Sequence, residues 1–139
     1  MRIDYIDSRD FNQEKLQELF LSVKWASGRY PERLVIAMRN SSTVFSAWDG
    51  DKLVGLASVL DDKAMTAYVH YLLVKPEYQG KGIGKELLRM IKEKYENFPR
   101  IVLISYNKQI EFYQGNGFMA SDDSTPMSLS AFLGGQING

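Results

Sequence analysis

Apolar residues Leu16, Leu19, Phe20 and Val23 recur three and four apart, which predicts an amphipathic helix over 13–24, capped by Asn12, with Phe11 stapled against Leu16. Trp25-Ala26-Ser27-Gly28 breaks that period, and Pro31 suits the first position of a second helix reaching residue 39. From Thr43 the period shortens to two. Strands are predicted over 43–49, 52–60 and 64–74, joined by Asp49-Gly50-Asp51 and Asp61-Asp62-Lys63 into an antiparallel meander. Further on, Ile83, Leu87, Leu88, Ile91, Tyr95 and Phe98 form an apolar stripe opposite Glu86, Arg89, Lys92, Glu93 and Glu96, so this helix packs on the sheet. The uninterrupted apolar run over 101–105 reads as a strand buried on both faces and parallel to the strand before that helix. A short helix over 108–116 stops at Gly115 and Gly117, and Phe118 opens a final extended segment. With the strand-like alternation at residues 1–5, the order is β-α-α-β-β-β-α-β-α-β. This is an α/β fold whose single domain is placed at 1–133, with 134–139 as a flexible tail.

Composition narrows the chemistry. A chain of 139 residues, 45% apolar, can bury a core without metals or disulfides. No apolar run approaches the length of a membrane span, and the N-terminal residues lack a signal-peptide core, so the expected location is cytoplasmic with no membrane partner. Seventeen basic residues balance seventeen acidic ones, which leaves no net field to attract nucleic acid. With no cysteine and one histidine, thiol nucleophiles are excluded and no metal site is expected.

The densest chemical signal is the segment from Tyr71 to Lys85, where an apolar strand runs through Gln79-Gly80-Lys81-Gly82-Ile83-Gly84-Lys85 into a helix. Alternate glycines permit positive φ, so successive backbone N–H groups can converge on one anion, and the helix adds its own unpaired N–H groups and dipole. This is a diphosphate cradle. The dinucleotide fingerprint fails because Lys85 stands where its third glycine belongs, and the P-loop fails because Gln79 stands at its first glycine and Glu86 follows Lys85.

Gln79, Gly82 and Gly84 instead match the Gln/Arg-x-x-Gly-x-Gly/Ala signature, and Tyr113-Gln114-Gly115-Asn116-Gly117-Phe118 resembles the Tyr-x-x-x-Gly-Phe segment, of the GNAT family of acyl-coenzyme A N-acyltransferases. The resemblance covers nearly the whole chain. It implies a mixed central sheet of about six to seven strands flanked by about four helices, and acetyl-CoA as co-substrate. Residues Leu72, Leu73 and Val74 would lie along its pantetheine arm, with Gln79, Gly80, Lys81, Gly82, Ile83, Gly84 and Lys85 at its diphosphate. The family often places Asn seven residues before its Tyr; here that position is Tyr106, with Asn107 one place later as the candidate contact. By resemblance Tyr113 is the acid for the leaving thiolate, or else a packed aromatic. His70 is either a general base or a packed strand histidine. Trp25 and Tyr30 either wall an acceptor site or fill the space between helices. The resemblance implies acetyl transfer to a primary amine of a small molecule, aralkylamine or polyamine, by direct attack in a ternary complex, and a possible homodimer. A protein N-terminus or lysine as acceptor, a noncatalytic acyl-CoA sensor and a nucleotide-binding protein with a degenerate loop are the alternatives.

Overall fold

The computed structural model describes residues 1–130. In chain order it contains β1 (Asp4–Asp7), α1 (Gln13–Ser22), α2 (Pro31–Asn40), β2 (Thr43–Asp49), β3 (Lys52–Asp61), β4 (Thr66–Val74), α3 (Ile83–Lys94), β5 (Arg100–Leu103) and α4 (Ile110–Gln114). Single turns of 3-10 helix occupy Ala26–Arg29, Pro76–Tyr78 and Asn107–Gln109. The strands form one five-stranded sheet in the order β1-β2-β3-β4-β5, antiparallel at every junction except the parallel β4–β5 pair.

Helices cover both faces. Leu16, Leu19 and Phe20 of α1 and Leu34 and Met38 of α2 pack with Val44, Leu56, Tyr71 and Leu73. On the other face Ile83, Leu87, Leu88 and Ile91 of α3 pack with Phe45, Ala57, Val59, Ala67 and Val69. Burial of β3 between these two cores explains its nearly continuous apolar sequence.

The local signals act as expected at several ends. The Asn12 side chain accepts from Lys15 N–H at 3.0 Å, and Pro31 is the first residue of α2. The first helix ends at Ser22, earlier than its period suggests, because Lys24 takes a left-handed φ of 62°. Lys24 N–H then donates to the Leu21 carbonyl at 2.9 Å and Trp25 N–H to that of Phe20 at 3.1 Å, the paired bonds of a Schellman ending. That ending sets the position of Trp25.

Two expectations require correction. No strand forms after Phe118 among the described residues, and 119–130 are all exposed, so the sheet has five strands rather than six or seven. Ser121-Asp122-Asp123-Ser124-Thr125-Pro126 offers no alternating apolar face; Ser121 spends its hydroxyl on Asp123 and Ser124, and Pro126 lacks a ladder donor. The proposed boundary at 133 and the tail over 134–139 lie outside the described residues. Strand β5, expected to be buried on both faces, has only half-buried side chains at Ile101, Val102 and Leu103, because no described strand pairs beyond it.

One irregularity shapes the site. Ser58 pairs with Tyr71 but Val59 pairs with Val69, which leaves His70 as the extra residue of a β-bulge. Before the bulge Ala67 and Val69 face α3; beyond it Tyr71 and Leu73 face α1 and α2, while Leu72 and Val74 turn toward α3. The parallel pairing of β4 with β5 ends at Val69–Leu103, so the remaining half of β4 runs on with that edge unpaired.

Candidate active site

The diverging ends of β4 and β5 enclose a cavity of about 400 Å³. Leu72, Leu73 and Val74 form the β4 wall, and Ile104, Ser105 and Tyr106 the wall that continues β5. Tyr78, Gln79, Gly80, Gly82, Ile83, Gly84 and Lys85 close one end, beside Phe112 and Tyr113 of α4. Val23 and Trp25 close the other, where α1 meets the sheet. The two motifs, more than twenty residues apart in sequence, thus line one space.

The three glycines serve different purposes. Gly80 and Gly82 have φ of +77° and +87°, and a Cβ at either would meet no protein atom within 4 Å, so backbone angle rather than crowding by the protein selects glycine there. A Cβ at Gly84 would lie 3.5 Å from the Phe112 ring and 3.8 Å from Val74, so this glycine lets α4 approach α3 closely. Gly82 is the N-cap of α3 and no side chain caps the helix. The first-turn N–H groups and the positive end of a helix of 12 residues therefore lie at the cavity end, where the first-turn acid, Glu86, is paired with Arg89.

The turn is held from three sides. Gln79 Nε2 donates to the Val74 carbonyl at 2.9 Å, so its side chain braces the turn rather than reaching out to an anion. Tyr78 Oη donates to Asp49 Oδ2 at 2.5 Å, which fastens the turn to the β2–β3 hairpin and raises the Tyr78 pKa. Lys75, buried at the end of β4, places Nζ 2.6 Å from Glu18 Oε1 and ties α1 to the same point. Its hydrogen bond and charge hold the Glu18 carboxyl below the usual range.

Tyr113 packs edge-on against Phe112 and Phe118, and burial pushes its phenol up to about 12. His70 lies off the cavity wall, stacked on Tyr71 with ring centroids 4.0 Å apart and on Tyr68 at 5.7 Å. Burial lowers its pKa below 6.5, so it is neutral at neutral pH. Trp25 lines the cavity and sits 6.1 Å from Tyr71 and 6.0 Å from Tyr106, whereas Tyr30 is on the surface under the Arg33 guanidinium. Lys81 and Asn107 do not reach the wall. Sequence reasoning did not single out Tyr78, Ile104, Ser105, Lys108, Gln109 or Phe112 as site residues, although all line the cavity. For Ile104 to Gln109 the readable signal was position, immediately beyond the strand parallel to β4.

A smaller cavity of about 260 Å³ adjoins the cradle, lined by Gly82, Lys85, Glu86, Arg89, Lys92 and Asn116. Among the described residues no three histidine, aspartate or glutamate side chains gather into a metal site, and no helix is long and apolar enough to cross a membrane.

Residues 8–131 match the Acetyltransferase (GNAT) domain family. An uncharacterized N-acetyltransferase of Prochlorococcus marinus is 35% identical over 112 residues, covering 75% of this chain and 61% of that protein. A soybean protein named histone acetyltransferase TAP1 is 29% identical over 135 residues, 88% of this chain and 58% of its own length. The chain thus spans about three fifths of the length of these two relatives. A GNAT family acetyltransferase structure from Streptococcus pneumoniae superposes with a TM-score of 0.80 at 27% identity, covering 93% of this chain and 98% of that one. With a family match over nearly all of its length and this shared fold, the chain belongs to the GNAT family of N-acetyltransferases.

Proposed function

We propose that this chain transfers an acetyl group from acetyl-CoA to the primary amine of a small molecule by direct attack in a ternary complex. The single observation that carries this reading is that the glycine turn, the unpaired half of β4 and the Tyr113 phenol line one cavity. Acetyl-CoA, when bound, supplies an activated acyl group and a thiolate leaving group. The chain's own residues do the rest.

Gly80 to Lys85 hold the diphosphate through backbone N–H groups, with Lys85 adding charge. The open edge of β4 from Leu72 to Val74 offers main-chain groups to the amide-bearing arm, as to an added strand; Lys75 N–H donates to the Val54 carbonyl of β3, so by the alternation of the strand Leu72 and Val74 face the open edge, and because the Val74 carbonyl already accepts from Gln79 the pairing falls to the Leu72 groups and the Val74 N–H. Tyr113 donates a hydrogen bond to the departing sulfur. A phenol near 12 facing a thiol near 8.5 is a weak acid for that partner, so it stabilises the developing thiolate and full protonation comes from water. His70, neutral and off the wall, takes the ammonium proton through water. Val23 and Trp25 mark the end by which the acceptor approaches, since the glycine turn occupies the other.

No carboxylate lines this cavity, whose charged residues are Lys85 and Lys108, so a monoamine with an apolar or aromatic body suits it better than a polyamine. The soybean relative named a histone acetyltransferase keeps a lysine peptide in the panel that tests this reading. A thiol-release assay with acetyl-CoA and phenylethylamine, spermidine and a lysine peptide is expected to show release with phenylethylamine above the amine-free rate. Release with none of them would support the noncatalytic sensor, and preference for the peptide the protein acceptor.

A further inference from the structure

The cavity of about 260 Å³ beside the cradle holds chemistry that the acetyl-transfer reading leaves unused. Lys85, Arg89 and Lys92 stand four and three residues apart on α3, so they share one face of the helix, and all three are exposed. A charged helix face is ordinarily left open to water. This one is partly roofed: Lys92 Nζ donates to the Asn116 carbonyl at 2.9 Å, which draws the turn after α4 across it, and Asn116 Nδ2 donates to the Phe112 carbonyl at 2.7 Å. One acid, Glu86, joins the three cations in the lining, so the site carries an excess of two positive charges. Glu86 accepts from Arg89 Nε at 3.0 Å and Glu93 from Nη1 at 2.7 Å; the two carboxylates fix the guanidinium plane and leave Nη2 uncommitted. The Arg89 side chain is 58% exposed, so a ligand can reach it.

Gly82 and Lys85 line both cavities, so the smaller one begins where the larger one ends. A coenzyme whose pantetheine arm runs from the cradle into the larger cavity sends its nucleoside end out on the other side, beside α3. Arg89 lies about 10 Å along the helix axis from Gly82, and helical side chains lean toward the N-terminus, which carries the heads of Lys85 and Arg89 back toward the cradle. Resting on the acetyl-transfer reading above, we propose that this cavity binds the 3′-phosphate on the ribose of the coenzyme, with Lys85 and Arg89 as donors and Lys92 adding charge from the far wall. A phosphate monoester carries about two negative charges at neutral pH, which the excess in the lining matches. The fixed guanidinium offers its free Nη2 hydrogens to a phosphate oxygen without losing its bonds to the two carboxylates. The cavity therefore selects the phosphorylated coenzyme over its dephospho form.

The test is calorimetric titration of coenzyme A and dephospho-coenzyme A into wild type, Arg89→Gln and Lys92→Gln, with melting transitions run on each protein. Exposed ion pairs contribute little to stability, so both variants are expected to fold. Wild type is expected to bind coenzyme A about tenfold more tightly than the dephospho form at low salt, and to lose much of that preference at about 0.5 M salt. Arg89→Gln is expected to cut the preference to about twofold and Lys92→Gln to about fivefold, each by weakening coenzyme A while dephospho-coenzyme A binds nearly as before. Equal losses for both ligands would make Arg89 a merely structural residue and overturn the proposal. A wild-type preference that neither variant reduces also overturns it, because the phosphate then lies elsewhere; should Arg89→Gln not fold, Lys92→Gln decides this alone. Equal affinity of wild type for the two forms overturns the proposal and leaves the acetyl-transfer reading standing, whereas no binding of either overturns both. Inorganic phosphate is titrated alone as well: binding that Arg89→Gln abolishes, with no preference between the two coenzyme forms, would make this a site for free anions and overturn the assignment.

Discussion

Gly80 and Gly82 show how backbone angle alone can select a residue. Their left-handed φ values are a conformation that costs about 1 kcal/mol or more for other residues and most for β-branched ones. Gly82→Val is therefore expected to displace the start of α3 and weaken acetyl-CoA binding by at least about tenfold, whereas Lys81→Ala, off the wall, weakens it by about threefold at most. Tyr113→Phe keeps the packing against Phe112 and Phe118 and removes the donor; kcat is expected to fall by roughly tenfold to a hundredfold with acetyl-CoA affinity nearly unchanged. An unchanged kcat in that variant would show Tyr113 to be a core aromatic only. The pH dependence belongs to His70. Burial lowers its pKa, so the free base is present at neutral pH and the acid limb of kcat should have its midpoint below 6.5. His70→Gln should abolish that limb; a limb of the same midpoint in the variant would remove His70 from the reaction. The same shift has a stability consequence of defined sign: with the folded value depressed, the contribution is present above 6.5 and is lost as pH falls through the folded value.

At the scale of elements, the helices were legible because one-sided burial writes a period into the sequence. Leu88 is fully buried where α3 meets the sheet, and Leu88→Ala should cost about 2–5 kcal/mol in a denaturant titration. The end of α1 was less legible, since no glycine marks it. Lys24 fills the left-handed position, and Lys24→Gly should raise stability by up to about 1 kcal/mol while leaving Trp25 in place. A loss of stability would mean that the lysine side chain compensates for its backbone strain. The bulge at His70 was not legible at all, because Tyr68, His70 and Leu72 continue the alternation that the backbone breaks. What sets the bulge is pairing with β3 and the opposed demands of two cores, and neither is local. The missing final strand has a similar cause: Phe118 begins like a strand, but the polar run after it gives a sheet nothing to bury.

For the whole molecule, the two motifs marked residues that line one end of the cavity, and the element order around them was readable almost throughout. The opposite end, which the proposed function gives to the acceptor, was legible only at Trp25, because Trp25, Tyr71 and Tyr106 come from three parts of the chain and meet only through packing against Phe20 and one another. The same bulge and splay that interrupt the sheet give it a site between strands, bounded by α3 and α4 on one side and α1 on the other. The central claim is that this opening is an acetyl-CoA site built on backbone geometry. Calorimetric titration of acetyl-CoA into wild type and Gly82→Val, both shown to be folded by their melting transitions, tests it most directly. The account predicts one molecule bound per wild-type chain and at least about tenfold weaker binding to the variant; equal affinities, or no binding to wild type, would contradict it.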